Sequence, residues 1–425
     1  MVDFALSKRE QELFDTAMEF SKKWIVPYAR ELEEADEFPW GLAQKAYDAG
    51  LMNSHVPKKY GGPEHSMVEE TLIGEAIGYG DGGIATTILA NNLALTPLLL
   101  TATPEQMEKY IKPFATGKKP QFAAFSLTER EAGSDAAAVK TTATKDGDEW
   151  IINGRKCFST NGHVAKYHTV FTTVDPTKGY KGMALHMIER ELPGVKIVML
   201  EDKLGQRASF QAEIEYKDVR IPGDCLFGEI GKGFKYAMQT LDRTRAAIAA
   251  LGVGIAQRAV HEAAIFANYR KQFGKPIGAY QGINFMIAEM EARAMHARWA
   301  TRYSAWLVDQ GQRNTKESSC AKFFATDAAM QNTIDCIQIM GGYGYSKEYP
   351  AEQMMRGAKL TQIYEGTNQI QRWVAGQAVL KEVQVTELDT GFRLSFPGND
   401  YPDPWGPREG DVPDFWGKGK SKNKQ

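Results

Sequence analysis

Two short segments carry the residue types that could do chemistry. In Gln362-Ile363-Tyr364-Glu365-Gly366-Thr367-Asn368-Gln369-Ile370-Gln371-Arg372 a carboxylate precedes a glycine between two long helical stretches. Taken alone, Glu365 reads first as an acid at a helix N-terminus, favoured there by the macrodipole. The second segment, Phe125-Ser126-Leu127-Thr128-Glu129-Arg130-Glu131-Ala132-Gly133-Ser134-Asp135, ends a strand and enters a loop dense in hydroxyls and small residues. Such a loop offers backbone N–H groups to a polar ring or a phosphate, or is a simple turn.

Other candidates fall away on context. Gly252-Val253-Gly254 lies inside an Ala-rich helical run rather than after a strand, and no third glycine completes a dinucleotide fingerprint, so it reads as close helix packing. Gly341-Gly342-Tyr343-Gly344 is first of all a helix stop. The seven histidines show no metal-ligand spacing, and the four cysteines, Cys157, Cys225, Cys320 and Cys336, lie far apart without a CxxC pair. They read as core or surface thiols in a reducing compartment. A formal charge of −2 over 425 residues leaves no electrostatic footprint for nucleic acid. No apolar run reaches the length of a membrane span, and Met1 to Glu12 lacks the order of a signal peptide. The expectation is a cytoplasmic protein, or a mature mitochondrial matrix enzyme.

The elements that must position these segments are legible in the periodicity. Ser7 and Glu10 form a capping-box pattern, followed by Leu13, Phe14, Ala17 and Met18 at helical spacing up to Pro27. Helical stretches continue to about Pro120, broken most clearly at Lys59-Tyr60-Gly61-Gly62-Pro63. Short runs rich in β-formers then follow at 122–127, 150–152, 167–174, 182–188, 195–200 and 213–221. Asn153-Gly154 is a hairpin signal, and the absence of crossover helices predicts antiparallel strands. Helical period returns over 243–270, 283–310 and 316–340, lengths that suit an antiparallel bundle. The expected layout is α+β: a helical domain over 1–120, a β-domain over 121–235, a helical bundle over 236–381, and a Pro- and aromatic-rich extension over 382–425.

Taken together, the two segments resemble the signature regions of acyl-CoA dehydrogenases, closest to the medium-chain type, and the likeness runs from Phe4 to about Lys381. Further pieces match in order: Lys156-Cys157-Phe158-Ser159-Thr160-Asn161-Gly162, Asp242-Arg243-Thr244-Arg245, Tyr269-Arg270-Lys271-Gln272-Phe273-Gly274-Lys275, Gln281, and Gln338-Ile339-Met340-Gly341-Gly342-Tyr343-Gly344. The resemblance implies N-terminal helices, a β-barrel-like middle domain and a C-terminal four-helix bundle. It implies tightly held FAD and a homotetramer in which the AMP half of each FAD reaches a neighbouring subunit.

Carried over by position, Phe125, Leu127, Thr128, Phe158, Ser159 and Thr160 resemble the residues around the isoalloxazine ring. Arg270, Gln272, Phe273, Gln281, Gln338, Gly341, Gly342, Thr367 and Gln369 resemble contacts to the pyrophosphate, ribose and adenine, and Ser134 is a candidate on both the FAD and CoA sides. Asp242 and Arg245 resemble further contacts to CoA, and Tyr364 and Gly366 are further candidates for binding the substrate. Glu365 stands where many members keep the catalytic base, while Thr244 fills the place where others put theirs. The activity implied is α,β-dehydrogenation of an acyl-CoA, Glu365 taking the α-proton, a flavin ribityl hydroxyl and the Glu365 N–H holding the enolate oxygen, and N5 of the ring accepting the β-hydride. Electrons would pass to an electron-transferring flavoprotein.

Two departures from the family pattern stand out. Glu129-Arg130-Glu131-Ala132-Gly133-Ser134-Asp135 replaces the usual Glu-Pro-Gly-Ala-Gly-Ser-Asp, leaving Arg130 either solvated or free to meet a phosphate or a substrate carboxylate. Phe158 stands where many members have tryptophan. The competing readings are an acyl-CoA oxidase, a dehydrogenase of aromatic, alicyclic or dicarboxylic acyl-CoAs, and a non-catalytic acyl-CoA-binding scaffold.

Overall fold

A computed structural model describes residues 5–382; the extension expected over 382–425 lies, but for its first residue, outside the described residues. The chain divides into units at Met1–Ala375 and Gly376–Gln425, and the first holds the sheet and nearly all of the helices. Its longer helices are α1 (Lys8–Trp24), α2 (Met67–Gly80), α3 (Gly82–Leu99), α4 (Gly233–Tyr269), α5 (Gln281–Asp309), α6 (Thr315–Met340), α7 (Ala351–Thr361) and α8 (Asn368–Glu382), the last of which runs on into the second unit. The sequence pattern forms α1 as expected: Ser7 Oγ accepts from Glu10 N at 3.3 Å, and Glu10 Oε2 accepts from Ser7 N at 2.7 Å.

Helices α2 and α3 are buried on nearly every side. By length and composition α3 is apolar enough to cross a membrane, which corrects the expectation that no run reaches that length. Its apolar stretch is 72% buried, and inside the protein Asn91 donates to Asn53 and Asn92 to Glu70, so α3 is a core helix. Glycines bring α2 against α4: a Cβ on Gly254 would stand 2.2 Å from the Glu75 carbonyl oxygen, and one on Gly78 would stand 2.7 Å from that of Leu251. Close packing, not phosphate binding, is thus the work of Gly254.

The strands are β1 (Ala123–Ser126), β2 (Thr142–Asp146), β3 (Glu149–Thr160), β4 (Tyr167–Thr173), β5 (Met183–Glu189), β6 (Val195–Leu200), β7 (Gln211–Pro222) and β8 (Leu226–Phe227). They form one sheet in the order β6-β7-β3-β2-β4-β5-β8, with β1 beside β4. Most pairs are antiparallel, but β1 and β2 both meet β4 in parallel, which departs from the expected all-antiparallel sheet. The β2–β3 hairpin between β1 and β4 is itself long enough to act as the crossover that parallel neighbours need.

The expected turn at Asn153-Gly154 is also corrected. β3 continues through it with a register shift between Ile152 and Gly154, and the chain reverses earlier, at Gly147 with φ +59°. Gly154 is required for close approach, since a Cβ there would lie 2.5 Å from Thr141 Oγ1. Asn153 is required as a clasp: its Oδ1 accepts from Asp218 N at 2.8 Å and its Nδ2 donates to Asp218 Oδ1 at 3.1 Å.

Candidate active site

Helix α7 ends at Thr361 and α8 starts at Asn368, and the turn between them carries Glu365 at φ +54° and Gly366 at φ +87°. A glutamate in the left-handed region costs about 1–3 kcal/mol and persists only where its surroundings impose it. The restraints are visible: Gln371 Nε2 donates to the Gly366 carbonyl at 2.9 Å, and Lys322 Nζ donates to the same oxygen at 3.0 Å and to Asn368 Oδ1 at 2.9 Å. A side chain on Gly366 would run into Gln371, with a Cβ only 2.5 Å from its Nε2.

The Glu365 carboxylate accepts a hydrogen bond from Thr244 Oγ1 at 2.7 Å. Although the residue keeps some accessible surface, its enclosure by protein atoms pushes the carboxyl up to about 7, and the Thr244 hydroxyl, Lys322 and Arg245 oppose that rise. Its backbone N–H has no acceptor among the described residues. A base with raised affinity for a proton therefore sits next to a free donor on one turn. Beside it, the Tyr364 hydroxyl lies 3.4 Å from Thr86 Oγ1, and burial pushes its phenol up to about 12.

Of the expected CoA contacts, Arg245 is only 4% exposed and donates to Asp242 Oδ1 at 3.0 Å, while Asp242 also accepts from Thr315 at 2.6 Å. Arg245 lies alongside the Glu365–Gly366 turn, since a Cβ on Gly366 would stand 3.9 Å from its Nη2. Ser134 is exposed on the loop after β1.

That loop is held from below by a buried ion pair. Glu129 accepts from Lys140 N, Thr141 N, Thr141 Oγ1 and, at 2.8 Å, Lys156 Nζ, which also donates to the Leu127 carbonyl. Arg130 is neither free nor merely solvated: it grips the buried Glu213 with both Nε at 3.1 Å and Nη2 at 2.8 Å. The loop after β1 meets β3 where Cys157 N donates to the Thr128 carbonyl at 2.9 Å and the Ser126 and Ser159 hydroxyls lie 2.9 Å apart, while the Phe125 ring packs against Phe171 of β4. Phe158 sits at φ +55° with its side chain 59% exposed, displayed by the bulge in β3. Cys157 is buried, and its thiol is pushed up to about 11, which suits packing rather than nucleophilic attack.

A second group lies elsewhere on the chain. Arg270, Gln272, Gly341 and Gly342 line a cavity of about 590 Å³ together with Phe266, Met340 and Tyr343. Arg270 pairs with no carboxylate among the described residues, its guanidinium lying 5.4 Å from the Tyr343 ring, and a Cβ on Gly341 or Gly342 would meet nothing within 4 Å. Phe273 is 94% exposed at φ +51°. Gln281 opens α5, Gln338 and Gln369 are exposed on α6 and α8, and Thr367 Oγ1 accepts from Ile370 N at the start of α8. An unpaired arginine beside open glycines fits a pyrophosphate, and an exposed phenyl ring beside hydroxyls fits a planar heterocycle. The residues present therefore fit a flavin dinucleotide, with its two ends served by different elements.

With this geometry in view, family models match nearly the whole described chain: acyl-CoA dehydrogenase, N-terminal domain, over residues 7–118, the middle domain over 124–219 and the C-terminal domain over 231–380. The chain belongs to the acyl-CoA dehydrogenase family. It is 38% identical to the probable acyl-CoA dehydrogenase FadE25 of Mycobacterium tuberculosis, over 89% of this chain and 97% of that one. Butyryl-CoA dehydrogenase from Megasphaera elsdenii superposes with a TM-score of 0.87 at 37% identity, over 89% of this chain and all of the other. PigA, solved with FAD and proline, superposes with a TM-score of 0.85 at 27% identity, over 90% of this chain and 100% of that one. The protein is a flavin oxidoreductase with FAD as its cofactor.

Lys322 does not stand out in the sequence as a functional residue. It is completely buried on α6, and a signal for it exists, because Ser318, Lys322, Thr326 and Ala329 fall on one buried helix face where a cation has no ordinary place.

Proposed function

We propose that this enzyme oxidises an acyl-CoA thioester to its 2,3-enoyl form with Glu365 as the base. The observation that carries the reading is the Glu365 turn, which joins a carboxylate pushed up to about 7 with an unengaged backbone N–H. A proton α to a thioester is weakly acidic, so its removal needs a donor at the carbonyl oxygen and a base of matched strength nearby. The N–H of Glu365 supplies the donor, and the carboxylate accepts the proton. Thr244 holds that carboxylate in place and favours its ionised form. Closure of the site by the acyl chain removes water and raises the base further, towards the acidity of the substrate. Bound FAD supplies the acceptor for the β-hydride.

The same reading assigns Phe158, Thr128 and Thr160 to the ring end of FAD, and Arg270, Gln272, Gly341 and Gly342 to the AMP half of a neighbouring subunit's FAD. A homotetramer and an electron-transferring flavoprotein as acceptor complete it. The test is anaerobic mixing of the purified yellow enzyme with a panel of straight-chain, branched, aromatic and dicarboxylic acyl-CoAs. Stoichiometric bleaching of the flavin with enoyl-CoA as product is expected for at least one class; a flavin that stays oxidised with all of them would end the proposal.

A further inference from the structure

The cation nearest the Glu365 turn is Lys322, and nothing in the reaction as described uses it. Its side chain is fully buried on α6, yet no carboxylate pairs with it within ion-pair distance among the described residues; its two acceptors are the Gly366 carbonyl and the Asn368 amide oxygen. Both lie within three residues of Glu365. Asn368 is itself fixed by Thr326 and Asp327 of α6, at 2.8 Å each, so the helix grips the turn from one side. A buried ammonium with only neutral acceptors is poorly compensated, and burial pushes Lys322 down to about 7 while Glu365 and Asp327 act against that from a distance. A packed hydrophobic residue of the same length would serve the fold at least as well.

We propose that Lys322 is a positioning residue for the base: it clamps the Glu365–Thr367 turn through Gly366 and Asn368, and in its protonated form it favours the ionised form of Glu365. The inference rests on Glu365 being the base. The charged groups around Glu365 are few. Arg245, paired to Asp242, approaches from α4, Lys322 and Asp327 from α6, and Glu70, paired to His55, from α2. Glu70 works in the opposite sense to the two cations, raising the affinity of Glu365 for a proton. Lys322 alone among these donates hydrogen bonds to the turn and has no carboxylate partner within ion-pair distance among the described residues.

The experiment is the pH dependence of anaerobic flavin bleaching by a reactive acyl-CoA, in wild type and in Lys322→Met and Lys322→Gln, with FAD content and thermal melting measured alongside. Removing the cation makes Glu365 harder to ionise, so the acid limb should move up by about one pH unit. At pH 6 bleaching should fall about tenfold, and at pH 9 it should return to within about twofold of wild type. An unmoved limb, or an equal loss at every pH, would overturn the proposal. So would loss of FAD from both variants, which would make Lys322 a folding residue only. Failure of the base assignment shows separately, as normal bleaching by Glu365→Gln.

Discussion

The Thr244 hydroxyl donates to the Glu365 carboxylate at 2.7 Å, joining residues 121 positions apart and tying the middle of α4 to the turn before α8. A hydrogen bond to the charged form favours ionisation, so its loss raises the affinity of Glu365 for a proton. Glu365 must be deprotonated to act, and activity therefore falls as pH drops through about 7. Thr244→Val should move that limb up by about one unit and leave the high-pH plateau within a few-fold. A plateau that collapses while the limb stays put would mean that Thr244 shapes the pocket rather than tuning the base.

Helix α2 meets α4 through Gly254, where a Cβ would overlap the Glu75 carbonyl at 2.2 Å. Backbone cannot step aside as a flexible side chain can. Gly254→Ala should cost about 3 kcal/mol or more, read as a fall in the denaturant midpoint at constant slope. Unchanged stability would show that the two helices can separate freely.

The sheet contains two buried neutral histidines. His168 bridges the Gly162 carbonyl at 2.9 Å and the Tyr216 hydroxyl at 3.0 Å, and burial pushes it down to about 4. His186 contacts Thr172 and is pushed down to about 3, again by burial. A histidine whose folded value lies below its unfolded one stabilises fully above about pH 6.5, and that contribution drains away as pH falls. Each should remove on the order of 3 kcal/mol of stability between pH 6.5 and pH 4. Melting temperatures across that window should fall steeply in wild type and less so in His168→Gln, provided the glutamine variant still folds at pH 7; equal slopes would refute the assignment.

Arg130 grips Glu213 from a largely exposed position, and Arg155 reaches the same carboxylate at 3.3 Å. Arg130→Ala should therefore leave the ratio of kcat/KM among neutral and dicarboxylic acyl-CoAs unchanged, with only a small drop in melting temperature. Selective loss against a dicarboxylic substrate would show that the arginine leaves Glu213 when substrate arrives.

Much of the fold was legible because periodicity and caps are local. Ser7 and Glu10 announce α1, and β-forming runs mark the sheet. The hairpin expected at Asn153-Gly154 failed because Asn-Gly serves a bulge equally well, and only Thr141 and Asp218, remote in sequence, decide between the two. Parallel pairing of β1 with β4 was hidden for the same reason. At the site, Glu365 was legible through its motif, whereas its Thr244 donor and the Lys322 clamp depend on helices that meet only in the folded chain. Arg130 could not be paired with Glu213 by any local pattern.

Removal of the α-proton by Glu365 is tested by single-turnover flavin bleaching in Glu365→Gln, anaerobically, with the best acyl-CoA of the wild type. Amide for carboxylate preserves shape and the backbone N–H while abolishing basicity. The variant should stay yellow with full FAD and bleach about 10³-fold or more slowly. Bleaching at a rate near that of wild type, with FAD content equal, would show that another group takes the proton.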